Sequence, residues 1–335
     1  MGKPGKRAAA AKLVGARPLG WLARVPLWRG ALVLAYHRIA RDDGRVEFDP
    51  GVYSATTAGF DAQLGFLTSH FDVVGPGELE RHADEPGRRI VITFDDGYRD
   101  NHELALPILQ RYGVTAAFFL ATGFLDAPRV PWWDELAWIA KRSSRSQIDP
   151  GEWLDRPLPL DGDRAAAIAE LARVYKSLDA VRTDAFLDHC ADVAGTGRCD
   201  PDLAEDMWMT WEMAGELRDA GMAIGGHTVT HPVLARTDEV GQREEIEGCR
   251  QRIVEQLGVL MSCFAYPVGL RDSFDDTTKS LLRDAGVRMA FSLYGGYTRR
   301  GYRDPYDVPR ASVSIGMRPQ DFRAMLASPR LFARW

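Results

Sequence analysis

Short apolar, β-branched or aromatic runs recur along this chain at 32–39, 71–75, 90–94, 115–122, 223–227, 263–268 and 289–295, and each leads into a helix-like stretch. Apolar residues between the runs keep helical spacing, as in Phe60, Leu64 and Leu67, then Leu104, Ile108 and Leu109, and later Ile246, Ile253 and Leu257. Parallel strands need long crossovers, usually helices, so strand-then-helix repetition predicts an α/β chain with a parallel sheet. Seven or eight such units can close into a barrel, and barrel chemistry gathers where loops converge at the carboxyl ends of the strands.

The rhythm breaks between residues 131 and 206, which read as helices at 132–142, 164–178 and 183–193 with no convincing strand. We take this stretch as a helical insertion. Its opening tryptophans, Trp132, Trp133 and Trp138, either stack on a pyranose or bury themselves in a packed helix.

A chain of 335 residues, 45% hydrophobic and 27% charged, can bury a large core. Its formal charge of -5 offers no general attraction to nucleic acid. Residues 1–30 are different: Lys3, Lys6, Arg7, Lys12, Arg17, Arg24 and Arg29 occur there without an acidic residue, interleaved with Leu19, Trp21, Leu22, Leu27 and Trp28. This basic arm is either a loosely docked tail or a segment that lies on an anionic membrane surface. Its apolar runs are too interrupted for a secretory signal and too short for a bilayer span, which points to a cytoplasmic protein, peripheral to the membrane at most. Cys190, Cys199, Cys249 and Cys263 form no C-x-x-C pair and suit a reduced compartment.

Two motifs carry chemistry. The run from Ile90 to Phe94 ends on Asp95, Asp96 and Gly97. Adjacent carboxylates raise one another's pKa unless a cation intervenes, so a metal that takes one and leaves the other as a base fits the pair. Receiver domains and aspartyl phosphatases also place paired acids at strand ends, so this motif alone leaves alternatives open. The second motif is Gly225-Gly226-His227-Thr228-Val229-Thr230-His231-Pro232. Histidines four apart can face one way, and two imidazoles with one carboxylate suit a divalent ion such as Zn2+, with Co2+, Mn2+ or Ni2+ as alternatives.

Together, Thr93–Gly97 and His227–His231 resemble the TFDDG and H-[S/T]-x-x-H signatures of the polysaccharide deacetylase family, also called carbohydrate esterase family four, over roughly residues 30–315. The resemblance implies a distorted (β/α) barrel of about seven strands, forming a catalytic unit over 31–335. It implies Asp95 as general base, Asp96, His227 and His231 as metal ligands, and an N-acetylated glycan as substrate, an N-acetylglucosamine-type polysaccharide, with a lipid-linked precursor as the alternative that the lack of a secretory signal suggests. The segment from Phe264 to Gly269 resembles a third motif of the family, in which the residue after proline, here Val268, supplies a backbone N–H for the oxyanion.

The chain departs from the family twice. Ala265 stands where many members carry an arginine, and Arg310 is our candidate replacement as partner of Asp95. No histidine follows His231, so the general acid is sought in His37, whose Tyr36-His37 pair resembles the branch acting on poly-N-acetylglucosamine and related exopolysaccharides. Tyr36, Trp132 and Trp133 are the candidate sugar contacts. An O-acetyl esterase would use the same site, and an inactive carbohydrate-binding member of the family is the non-enzymatic alternative.

Overall fold

A computed structural model describes residues 28, 30–42, 48–81, 87–149, 151–162, 164–298 and 304–332. Seven parallel strands close into a ring: β1 (Gly30–Tyr36), β2 (Arg88–Phe94), β3 (Ala117–Leu120), β4 (Ala223–Gly226), β5 (Cys263–Ala265), β6 (Met289–Ser292) and β7 (Val308–Ser312). Each pairs with the next in sequence, and β7 closes back on β1. The ring is uneven. β1 and β2 pair along seven residues, from Gly30↔Arg88 to Tyr36↔Phe94, whereas β4 and β5 share only Phe264↔Gly226.

Both faces of these strands are buried, which is why they read as continuous apolar runs. Ala31, Val33, Val91, Phe119, Ala265, Phe291 and Val308 fill the barrel interior. Leu32, Leu34, Tyr36, Ile92, Phe94 and Phe118 face outward and pack under the surrounding helices, against Phe60, Leu64, Leu67, Ile246 and Ile253. β-branched and aromatic residues suit such a doubly covered pleated surface.

Three details differ from the sequence expectation. The 71–75 run contributes only the two-residue strand Asp72–Val73, which lies beside β2 outside the ring, and β7 takes the seventh place. The 32–39 run splits at His37, after which Arg38–Ala40 pairs with Tyr53–Thr56. The insertion holds the expected helices, α1 (Trp132–Arg142), α2 (Arg164–Ser177) and α3 (Thr183–Ala194), but also a short antiparallel pair, Gln147–Ile148 with Leu158–Pro159. Asp134 and Glu135 in the first turn of α1 and Lys141 and Arg142 in its last complement the helix dipole. The insertion has its own core, Leu136, Ile139, Leu171 and Phe186 among others, continuous with Tyr98, Phe124 and Trp208 from the barrel.

Of the basic arm at 1–30, only Trp28 and Gly30 are among the described residues, so its membrane role lies outside them. Trp28 itself is a core residue: its indole N–H donates to the Leu326 carbonyl and its ring stacks on Phe71. Among the described residues no helix is long and apolar enough to cross a membrane. The four cysteines are free thiols.

Candidate active site and metal centre

Asp96, His227 and His231 leave the carboxyl ends of β2 and β4 and converge, with one donor atom from each lying within 4.8 Å of the others. Nε2 of His227 and Nε2 of His231 sit 3.2 and 3.5 Å from Asp96 Oδ1. The Nδ1–H of His227 donates to the Ala265 carbonyl at 2.7 Å, an acceptor-only partner that leaves the Nε2 lone pair facing inward. Asp96 Oδ1 is accordingly buried without a hydrogen-bond partner. Burial pushes the His231 pKa down to about 3, which keeps that ring in the neutral, ligating form. Burial opposes a charge on His227, but the buried Asp96 and Asp95 carboxylates outweigh it and draw its pKa upward, and a carboxylate oxygen within 3.5 Å of two imidazole Nε2 atoms is a donor set that fits a divalent cation.

Backbone geometry concentrates at the same place. Among the described residues, the non-glycine positions with positive φ are Asp96 (77°), Thr228 (68°), His231 (61°) and Val268 (63°). All four line the cleft or its ligand loop, in keeping with strain held at working sites. Two nearby glycines are required for different reasons: Gly97 turns the chain at φ 91°, and a Cβ on Gly225, inside β4, would come within 2.6 Å of the Phe119 ring.

Asp95 points into the barrel instead. Its carboxylate accepts two hydrogen bonds from Arg310, Nη1 to Oδ1 at 2.6 Å and Nη2 to Oδ2 at 2.8 Å, with both residues fully buried. Arg310 lies on the inward face of β7, where Nη1 also donates to Thr93 Oγ1 and Nε to the Ser292 carbonyl. Burial opposes the charge on Asp95, but Arg310, His227 and His37 outweigh it and hold the pKa at about 2. The pair is bidentate and buried, the arrangement in which a guanidinium holds a carboxylate most strongly.

His37 Nε2 is 3.8 Å from Asp95 Oδ2, and the residue is partly exposed on the cleft wall. Its backbone is pinned on both sides, its N–H donating to Ser54 Oγ and its carbonyl accepting from Asn101 Nδ2. Val268 also lines the cleft. The Gly269 N–H bonds across it to the Pro267 carbonyl in a three-residue turn, and no described residue accepts the Val268 N–H.

Three expected sugar contacts change. Tyr36 faces outward from β1, is fully buried, and donates its hydroxyl to Gln63 Oε1, so it is a core residue and not a substrate contact. Side chains alternate along a strand, and Tyr36 and His37 therefore point to opposite sides. Trp132 and Trp133 do line the cleft, but as a buried wall without an open stacking platform. Trp132 stacks on Tyr175 at 4.2 Å, while Trp133 packs edge-on against His231 at 4.5 Å and donates Nε1–H to the Tyr98 hydroxyl.

The cleft holds about 240 Å³ and is completed by Asp49, Lys176, Tyr266, Leu270, Leu293 and Ser312, none of which the sequence singled out. A larger hollow of about 450 Å³ opens beside Arg38, Asp100 and Glu103, but its carboxylates pair with arginines, and among the described residues no group of three metal donors gathers there. Between the two lies Asp134, fully buried, which accepts the Asp49 N–H and sits 3.9 Å from Arg38. Burial raises its pKa to about 7 despite Arg38. The folded state thus holds the Asp134 proton more tightly than the unfolded chain, so this residue's contribution to stability falls as pH rises from about 4 to about 7. Asp134→Asn should flatten that part of the stability profile, read as urea midpoints at several pH values; an unchanged slope would deny Asp134 the effect.

The family model for polysaccharide deacetylases matches residues 82–147 and 171–290. A curated relative, the poly-β-1,6-N-acetyl-D-glucosamine N-deacetylase of Staphylococcus epidermidis, is 25% identical over 135 residues, 37% of this chain and 46% of that protein. The chain spans between about a quarter and about half the length of the curated relatives it matches. Among solved structures, the deacetylase PplD of Streptococcus pyogenes, in complex with acetate, superposes with a TM-score of 0.56 at 16% identity, covering 89% of this chain and 97% of the other. IcaB of Ammonifex degensii gives 0.55 at 20% identity over 89% and 96%. At these identities the two structures establish a shared fold.

Proposed function

Since the chain belongs to the polysaccharide deacetylase family, we propose that it hydrolyses N-acetyl groups of a glycan, an N-acetylglucosamine-type polymer or a lipid-linked sugar, and releases acetate. The observation that carries this reading is the meeting of Asp96, His227 and His231 with the Arg310-bound Asp95 in one cleft.

Asp96, His227 and His231 would hold the divalent cation, zinc foremost on the donor set. When bound, such an ion supplies Lewis acidity toward the acetamide carbonyl and lowers the pKa of water. Asp95 is the base. A carboxylate with a pKa of about 2 is ionised at every working pH yet accepts a proton reluctantly, so it serves only toward a water already made acidic. Arg310 keeps it ionised and fixes its plane. The Val268 N–H is the backbone donor to the tetrahedral oxyanion, and the forced φ at this residue supports that role. His37 protonates the leaving nitrogen, a role supported by its partial exposure on the cleft wall beside Asp95.

Acetate release from N-acetylglucosamine oligomers, lipid-linked sugars and O-acetylated glycans, measured alongside bound metal, tests the reading. We expect release from the N-acetylated substrates in proportion to metal. Release from O-acetylated glycans alone would make the protein an esterase, and none from any substrate would leave a binding protein. For His37→Ala we expect a loss of about 10²-fold in turnover on amides but little on an activated aryl acetate, whose phenolate departs without a proton. Equal losses on both would remove His37 from the role.

A further inference from the structure

We propose that Glu245 is a positioning residue that sets the metal-binding geometry by holding the backbone between His227 and His231. The inference rests on the reading of Asp96, His227 and His231 as metal ligands.

The two histidines are held in different ways. The His227 ring is oriented by its hydrogen bond to the Ala265 carbonyl. Nδ1 of His231 is buried without a hydrogen-bond partner, so no acceptor orients that ring, and its position depends on its backbone and on edge contacts with Trp133 and His227. That backbone is forced, with left-handed φ at both Thr228 and His231.

Glu245 is what holds it. Successive N–H groups of Val229 and Thr230 both donate to Glu245 Oε2 at 2.8 Å, and the Thr230 hydroxyl donates to Oε1. Convergent backbone N–H groups make an anion-binding nest, filled here by a carboxylate from α4 (Glu239–Leu257). On the opposite side the Thr228 and Val229 carbonyls accept the N–H groups of Thr122 and Gly123 at 3.1 and 2.9 Å. Inside the loop, the His231 N–H donates to Thr228 Oγ1 at 3.0 Å. The segment between the ligands is therefore clamped by its N–H groups to one helix and by its carbonyls to another. Removing the carboxylate frees the left-handed residues to relax and carries His231 with them.

Glu245→Ala and Glu245→Gln, with the exposed neighbour variant Glu244→Ala as control, would be titrated with Zn2+ against a chromogenic chelator and with Co2+ by its visible absorption. We expect Glu245→Ala to weaken Zn2+ binding by about 10–100-fold and to alter the Co2+ bands. Glu245→Gln, which keeps one acceptor oxygen, should fall between it and the wild type, and Glu244→Ala should match the wild type. A loss of thermal stability at unchanged affinity and unchanged Co2+ spectrum would show only a structural role and overturn the proposal, and Glu245→Gln decides the matter if the alanine variant does not fold. If the wild-type protein itself binds neither ion, the ligand assignment fails first, a result distinct from wild-type binding in the Glu245 variants.

Discussion

Asp95→Asn should lower turnover by about 10²–10⁴-fold on every N-acetylated substrate that the wild-type protein cleaves. The substitution keeps the shape of the side chain and removes its proton-accepting charge. Metal binding should survive, because Asp96 and not Asp95 faces His227 and His231. The variant leaves Arg310 buried with only Thr93 Oγ1 and the Ser292 carbonyl as full-strength acceptors, so rates must be normalised to folded protein. Bound metal and the urea midpoint, measured on the same samples, separate a chemical loss from an unfolding loss. Wild-type acetate release by a folded, metal-loaded Asp95→Asn protein would take the base role away from Asp95.

What the sequence reveals here follows the distance over which each contact is written. The carboxylate pair and the histidine pair are each local, set by a strand end and a short loop, and they could be read directly. The Asp95–Arg310 pair joins residues 215 apart, and the sequence offered Arg310 only as one candidate. The late strand-like run that begins at Val308 stands outside the seven runs because Val308-Pro309-Arg310 puts a proline and a charge inside a short strand, signals that ordinarily argue against one. The run at 71–75 had the better composition but only two residues of pairing. Tyr36 enters as a sugar contact only through the resemblance of the Tyr36-His37 pair to the exopolysaccharide branch, and strand alternation sends its side chain outward while His37 lines the cleft. Contacts between insertion and barrel, such as Trp133 on His231 and Asp134 beside Arg38, leave no mark at all in local spacing.

Arg310→Met is expected to destabilise the protein by about 3–5 kcal/mol, since it strips the counter-charge from a fully buried carboxylate while keeping most of the side-chain volume. Lysine should not substitute for it: one ammonium cannot reproduce the two parallel bonds to Oδ1 and Oδ2 together with those to Thr93 and Ser292. The informative variant is the double one. With Asp95→Asn added, the uncharged amide no longer needs a buried cation, and most of the lost stability should return in urea or thermal unfolding. Activity should not return with it. If Asp95 served only to neutralise Arg310, removing both would restore a working cleft, and acetate release would recover along with the fold. Recovery of stability alone assigns two functions to one carboxylate, counter-ion to Arg310 on one side and proton acceptor toward the cleft on the other; a double variant as unstable as Arg310→Met would show that the arginine matters through its packing on Phe119 and not through its charge.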